Sequence, residues 1–176
     1  TGDVHVRRYA EERELSVYFM VDLSASGQFG SLRQSKNEAA IQILALLASA
    51  ATSNHDQMGV IFVTDHVEKV IRPGKGRPHL RRILRDLYAF QPEGTGTRLA
   101  SGFHWFMESV RRRAVIFAFS DFQDGGYEEA MRLCAHRHDL VLVDVTDRRE
   151  LSLPNVGLIE LRDAETGIIH QVDCRS

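Results

Sequence analysis

The sequence predicts an α/β fold of three layers, a mainly parallel central sheet flanked by helices and followed by a C-terminal hairpin. Three observations carry this. Four short apolar runs, Val17–Val21, Met58–Val63, Ala114–Phe119 and Leu140–Val143, are continuous and rich in Val, Ile and Phe. Strands covered on both faces read this way, whereas half-exposed strands alternate. Segments of helical period lie between the runs, as parallel strands require. Acidic residues follow each run: Asp22, Asp65, Asp121 and Asp144.

The elements follow in order. After the first strand, a helix runs from about Lys36 to Ser53. It opens at Ser35, with Glu38 three residues on, the signature of a capping box. Val67–Ile71 is expected to hairpin back onto Met58–Val63, closed at Pro73-Gly74. A second helix covers about His79 to Tyr88, with Leu80, Ile83, Leu84 and Leu87 on one face. The Gly94-Thr95-Gly96-Thr97 segment is a loop. A third helix spans about Leu99 to Ser109, and its stripe Phe103, Phe106, Val110 reads as core. A fourth covers about Tyr127 to His136. Leu158–Leu161 and Ile168–Val172 flank the turn signal Glu165-Thr166-Gly167 and form the terminal hairpin.

The 176 residues suit a single domain, 1–176, with no internal repeat or linker. A net charge of −2 points to neither nucleic acid nor an anionic membrane. The basic positions Arg77, Arg81, Arg82, Arg85 and Arg111–Arg113 read as solvated surface. The longest apolar stretch, Ala39–Ala51, is too short to cross a bilayer and suits a buried helix. Two cysteines, Cys134 and Cys174, imply no disulfide framework, so a reducing, cytoplasmic setting is expected. A chain that begins with Thr reads as the C-terminal part of a longer protein, and a membrane tether upstream is compatible with that.

In parallel sheets ligands bind beyond the carboxyl ends of the strands. The segment Asp22-Leu23-Ser24-Ala25-Ser26-Gly27 leaves the first strand there. It offers one carboxylate and two hydroxyls at a spacing of two. Thr97 on the glycine loop adds a hydroxyl, and Asp121 a second carboxylate. Hard oxygen donors of low total charge suit Mg²⁺ or Mn²⁺. His136 and His138 lack further ligands for a zinc site. Pro73–Gly76 lacks the spacing of a P-loop, and Leu99 replaces the third glycine of a dinucleotide fingerprint.

Asp22, Ser24, Ser26, Thr97 and Asp121 resemble the metal-ion-dependent adhesion site of von Willebrand factor A domains. That pattern is Asp-x-Ser-x-Ser after the first strand, a Thr on a later loop and an Asp after the fourth strand. The resemblance implies a von Willebrand factor A-like fold and direct coordination by Ser24 and Ser26. It implies Thr97 bound directly or through water, and waters held by Asp22 and Asp121. One coordination position would be left for an acidic side chain of a partner protein. The segments His5–Leu15, Ser120-Asp121-Phe122, Arg137-His138-Asp139, Leu153-Pro154 and Asp163–Gly167 are similar to a bacterial branch of these domains, domain-of-unknown-function family 58. This further likeness implies a partnership with a MoxR-type AAA+ ATPase in assembly or maturation of other proteins. Arg98 departs from the acidic residue often found after the loop Thr. It either weakens the metal or anchors the partner's carboxylate. Arg98 and Gly27 are the expected partner-facing positions.

The expected function is therefore a metal-dependent protein-binding module with no catalytic residue. A metal-assisted phosphohydrolase built on Asp22 is the enzymatic alternative. Against it, Ser24 stands where such enzymes place a second Asp, and no general base is evident. A structural interaction domain with a vacant metal site is the third reading.

Overall fold

A computed structural model describes residues 15–28, 35–147, 157–162 and 168–173. The expected segments His5–Glu14, Leu153-Pro154 and Asp163–Gly167 lie outside the described residues, as does Cys174. The central sheet has five strands: β1 (Ser16–Asp22), β2 (Gln57–Val63), β3 (Val67–Gly74), β4 (Val115–Ser120) and β5 (Asp139–Asp144). Their order is β3-β2-β1-β4-β5, parallel except for the antiparallel β3. The hairpin β6 (Leu158–Arg162) and β7 (Ile169–Asp173) makes a separate antiparallel pair.

Helices cover both faces. Helices α1 (Lys36–Ser53) and α2 (Gly76–Ala89) pack on one. Their Ile41, Leu44, Ala48, Ile83 and Leu87 meet Val17, Phe19, Val21, Val60 and Phe62 of the sheet. Helices α3 (Leu99–Ser109) and α4 (Glu128–Arg137) lie on the other, where Phe103, Phe106 and Cys134 meet Met20, Ile61, Ile116 and Ala118. Trp105, the chain's single tryptophan, packs against this second core. The alternation along β1, odd residues to one core and even to the other, follows from the two-residue period of a strand. Each large side chain buried in these cores contributes about 1.5–3 kcal/mol.

Helix α1 begins where the capping box places it. The Ser35 hydroxyl accepts from Glu38 N, and the Glu38 carboxylate accepts from Ser35 N. Three expectations need correction. Pro73-Gly74 does not close the β2–β3 hairpin; Thr64–His66 does, and β3 runs on through Gly74. Pro73 is tolerated because β3 is an edge strand, where no amide is needed on the outer side. Helix α2 starts at Gly76, earlier than expected, because Pro78 falls in the first turn, where its missing N–H costs nothing. Finally, β5 is not covered on both faces among the described residues: Val141 and Leu142 are 41% and 44% exposed. No helix among the described residues is long and apolar enough to cross a membrane.

Candidate metal centre

The parallel register of β1 and β4 brings their carboxyl ends side by side, with Val21 opposite Phe119. From β1 the chain turns toward α1 on one face; from β4 it turns toward α4 on the other. The two loops part at this point and leave a crevice. A cleft of about 20 Å³ opens there, room for one water-sized occupant. Asp22, Ser24, Gly27, Lys36, Ser120 and Asp121 line it.

Asp22 is 8% exposed and Ser24 1%. One Asp22 oxygen accepts from Ser24 N (2.9 Å), and the other from the Ser120 hydroxyl (2.6 Å). Ser120 Oγ in turn accepts from Phe122 N at 3.1 Å. Burial raises the Asp22 carboxyl above its ordinary pKa, against hydrogen bonds from Ser120 and Ser24 that lower it; the Asp121 charge adds to the rise. The backbone then tightens into a 3-10 turn, Ala25–Gln28, with Gly27 N donating to Ser24 O. A Cβ on Gly27 would meet the end of the Asn37 side chain, which would have to move aside.

Asp121 follows β4. Its Oδ1 accepts from Gln123 N at 3.3 Å, and its Oδ2 receives the Lys36 ammonium at 2.7 Å. Both side chains of this ion pair are buried, 6% and 5% exposed. Lys36 is the first residue of α1, so the capping box that starts the helix also fixes the backbone from which this lysine extends. Phe122, the next residue, holds φ +53°, a sparsely populated region for a bulky side chain. Its backbone is locked by the Ser120 contact and by Tyr127, whose hydroxyl donates to Phe122 O.

The glycine loop is stitched to the same edge. Ala25 N donates to Thr95 O, and Arg98 N to Thr64 O. Glu68 on β3 accepts from Gly94 N, Glu93 N and the Thr64 hydroxyl. Burial pushes the Glu68 carboxyl up, but these bonds outweigh it and hold the pKa below the ordinary value. Asp124 accepts from Leu99 N and so caps α3 from the β4–α4 loop.

The sequence-predicted residues separate as follows. Asp22, Ser24, Gly27 and Asp121 meet in the cleft. Thr97 is half-buried on the adjoining loop and does not line it; Arg98 beside it is exposed. The Ser26 backbone lies in the 3-10 turn, and its side chain lies outside the described residues. Asp65 turns to His66, and Asp144 to Thr146. Sequence reasoning missed Lys36 and Ser120. Ser120 precedes Asp121 and, as the last β4 residue, faces opposite to Phe119; that alternation was the available signal. Lys36 had none beyond its place at a helix start.

The donor chemistry fits a hard divalent cation. Each of the four carboxylate oxygens is oriented by a protein donor, Ser24 N and the Ser120 hydroxyl on Asp22, Gln123 N and the Lys36 ammonium on Asp121. Among the described residues no three His, Cys, Asp or Glu side chains converge, so the site is one of hydroxyls with two carboxylates. Among the described residues, the Lys36 ammonium already on Asp121 works against a metal.

A family model described as "Protein of unknown function DUF58" matches residues 1–176. An uncharacterized protein of Mycobacterium tuberculosis is 28% identical over 174 residues, covering 97% of this chain and 55% of that protein. The chain thus spans about half the length of that relative. Among solved structures, an aerotolerance-related membrane protein from Bacteroides fragilis has a TM-score of 0.69 at 16% identity, over 91% of this chain and 82% of that one. The conserved hypothetical protein BatB from Bacteroides thetaiotaomicron gives 0.63 at 15%, over 92% and 81%. These two share the fold.

Proposed function

We propose that this chain, which belongs to the DUF58 family, is a protein-binding module of the von Willebrand factor A type whose cleft holds Mg²⁺ or Mn²⁺. The observation that carries the reading is the convergence of Asp22, Ser24, Ser120 and Asp121 on one ion-sized cleft at the switch point of the sheet. Bound there, the ion would supply a Lewis-acidic position for an acidic side chain of a partner protein. The chain's own part is orientation. Ser120 and Ser24 N fix the Asp22 carboxylate, and Gln123 N fixes Asp121. Both Asp22 oxygens serve as acceptors in a buried setting, which suits a positioning carboxylate and not an attacking one. The partner class implied by the family likeness is a MoxR-type AAA+ ATPase, in assembly or maturation of other proteins.

Calorimetric titration of Mn²⁺ and Mg²⁺ into metal-stripped protein tests this, beside Asp22→Ala checked for folding by circular dichroism. The expected result is saturable one-site binding, reduced at least tenfold in the variant. Folded wild type that binds neither ion overturns the metal reading. Capture of the ATPase should then be lost on adding chelator, and equal capture with chelator would leave a metal-independent interaction domain.

A further inference from the structure

We infer that the amino edge of the central sheet carries a second site, a cleft that takes a phosphate group. It lies at the end of β1 opposite the metal centre and does not depend on the metal reading. A cleft of about 440 Å³ opens there, within the size range of small-molecule pockets. Ser16, Tyr18 and Gln57, at the starts of β1 and β2, form one wall, and Arg111 to Arg113, in the turn from α3 into β4, form another. Among the described residues no carboxylate lines it. Two carboxylates at neighbouring strand starts are engaged: Asp56 accepts from Leu15 N at 3.1 Å, and Asp139 pairs with Arg113. Arg111 and Arg112 are exposed and make no ion pair or side-chain hydrogen bond among the described residues.

Tyr18 points to a ligand independently of the arginines. It lines the cleft, yet it is only 8% exposed. Its ring stands edge-on to Phe106, with centroids 5.0 Å apart. It lies across Gly59, its partner on β2, where a Cβ would come within 2.9 Å of the ring. The hydroxyl at the end of this packed ring has no hydrogen-bond partner among the described residues. Burial raises its pKa, so the phenol keeps its proton and stays a donor. A polar group on so buried a side chain calls for a partner. The arginine turn is fixed as well: Arg137 donates to Arg111 O at 2.9 Å, and Asp139 N to Ala114 O. Two unpaired guanidinium groups on a fixed turn, a phenol donor and the neutral side chains of Ser16 and Gln57 suit an anion with several oxygens. Phosphate is the group that a guanidinium fork matches with paired N–H bonds.

The test uses the whole chain in chelator, so that no metal takes part. Inorganic pyrophosphate is the soluble probe, followed by calorimetry. Phosphatidylcholine vesicles with and without phosphatidic acid are the membrane probe, followed by sedimentation. Wild type should bind pyrophosphate at one saturable site. Arg111→Ala/Arg112→Ala should weaken that binding at least tenfold, because two charge-assisted contacts are lost. Tyr18→Phe should weaken it about threefold and leave the melting temperature without ligand unchanged. Arg81→Ala/Arg82→Ala removes the same charge from exposed positions of α2 and should leave the affinity as it was. Vesicle binding that needs both phosphatidic acid and the Arg111–Arg112 pair, without pyrophosphate binding, places the phosphate on a lipid headgroup. Equal losses in the two arginine pairs reduce the effect to net charge and overturn the site. A Tyr18→Phe affinity equal to that of wild type overturns it too, as does a wild type that binds neither probe.

Discussion

Strand β4 carries an ion pair at each end, and the two differ in almost everything but contact. At its start Arg113 meets Asp139 in open solvent, the side chains 74% and 52% exposed. At its end Asp121 meets Lys36 with both side chains buried. Water screens the first pair, and long flexible side chains dilute it further. The second is largely shielded from water, so the contact is not screened in the same way. The lesson is that proximity makes a pair visible, while burial decides whether breaking it matters.

Replacement of one buried partner should give the largest effect. Asp121→Leu takes the carboxylate from a buried ammonium and should cost on the order of 3 kcal/mol in a urea melt run in chelator. The double variant Lys36→Met/Asp121→Leu should recover most of that loss, because removing both charges also removes their desolvation cost. A double variant as unstable as the single one would break the contrast.

A smaller effect separates burial from pairing. His138, at the junction of α4 and β5, is 2% exposed and packs edge-on against Phe106. Among the described residues neither ring nitrogen has a hydrogen-bond partner. Burial lowers its pKa below the ordinary 6.5, and the charge of Arg137 adds to this. The unfolded chain therefore takes up a proton where the folded one does not, and acid favours unfolding. Stability should be full above about pH 6.5 and fall as the pH drops below it. In thermal melts His138→Leu should flatten that fall, and an unchanged slope between pH 6.5 and 5 would assign it to other groups.

The smallest effect belongs to the exposed pair. Arg113→Ala should leave the melting temperature within measurement scatter at low and high salt alike. A clear loss, removed by salt, would mean that the open end of β4 is not screened as its exposure implies.

The same contrast marks how far the sequence reached. Strands whose apolar runs are fully packed, β1 and β2, were legible to within a residue, because burial on both faces imposes the pattern. The run of β5 had the same pattern but open faces, since a continuous apolar string does not say what covers it. At the site, Asp22, Ser24 and Asp121 were legible because strand ends converge in a parallel sheet. Lys36 was not, because a contact across 85 positions depends on where α1 lands on the sheet. The start of α2 was hidden by Gly76 and Pro78, which read as breakers although a first turn accepts both.

The two cores are also optically unequal. Trp105 belongs to the α3–α4 side, whereas Lys36 rides on α1 in the opposite layer. Intrinsic fluorescence therefore watches the layer that does not carry the lysine. Circular dichroism averages over helices of both layers. Agreement of the two signals is thus a statement about coupling through the sheet between an emitting side and a dark one.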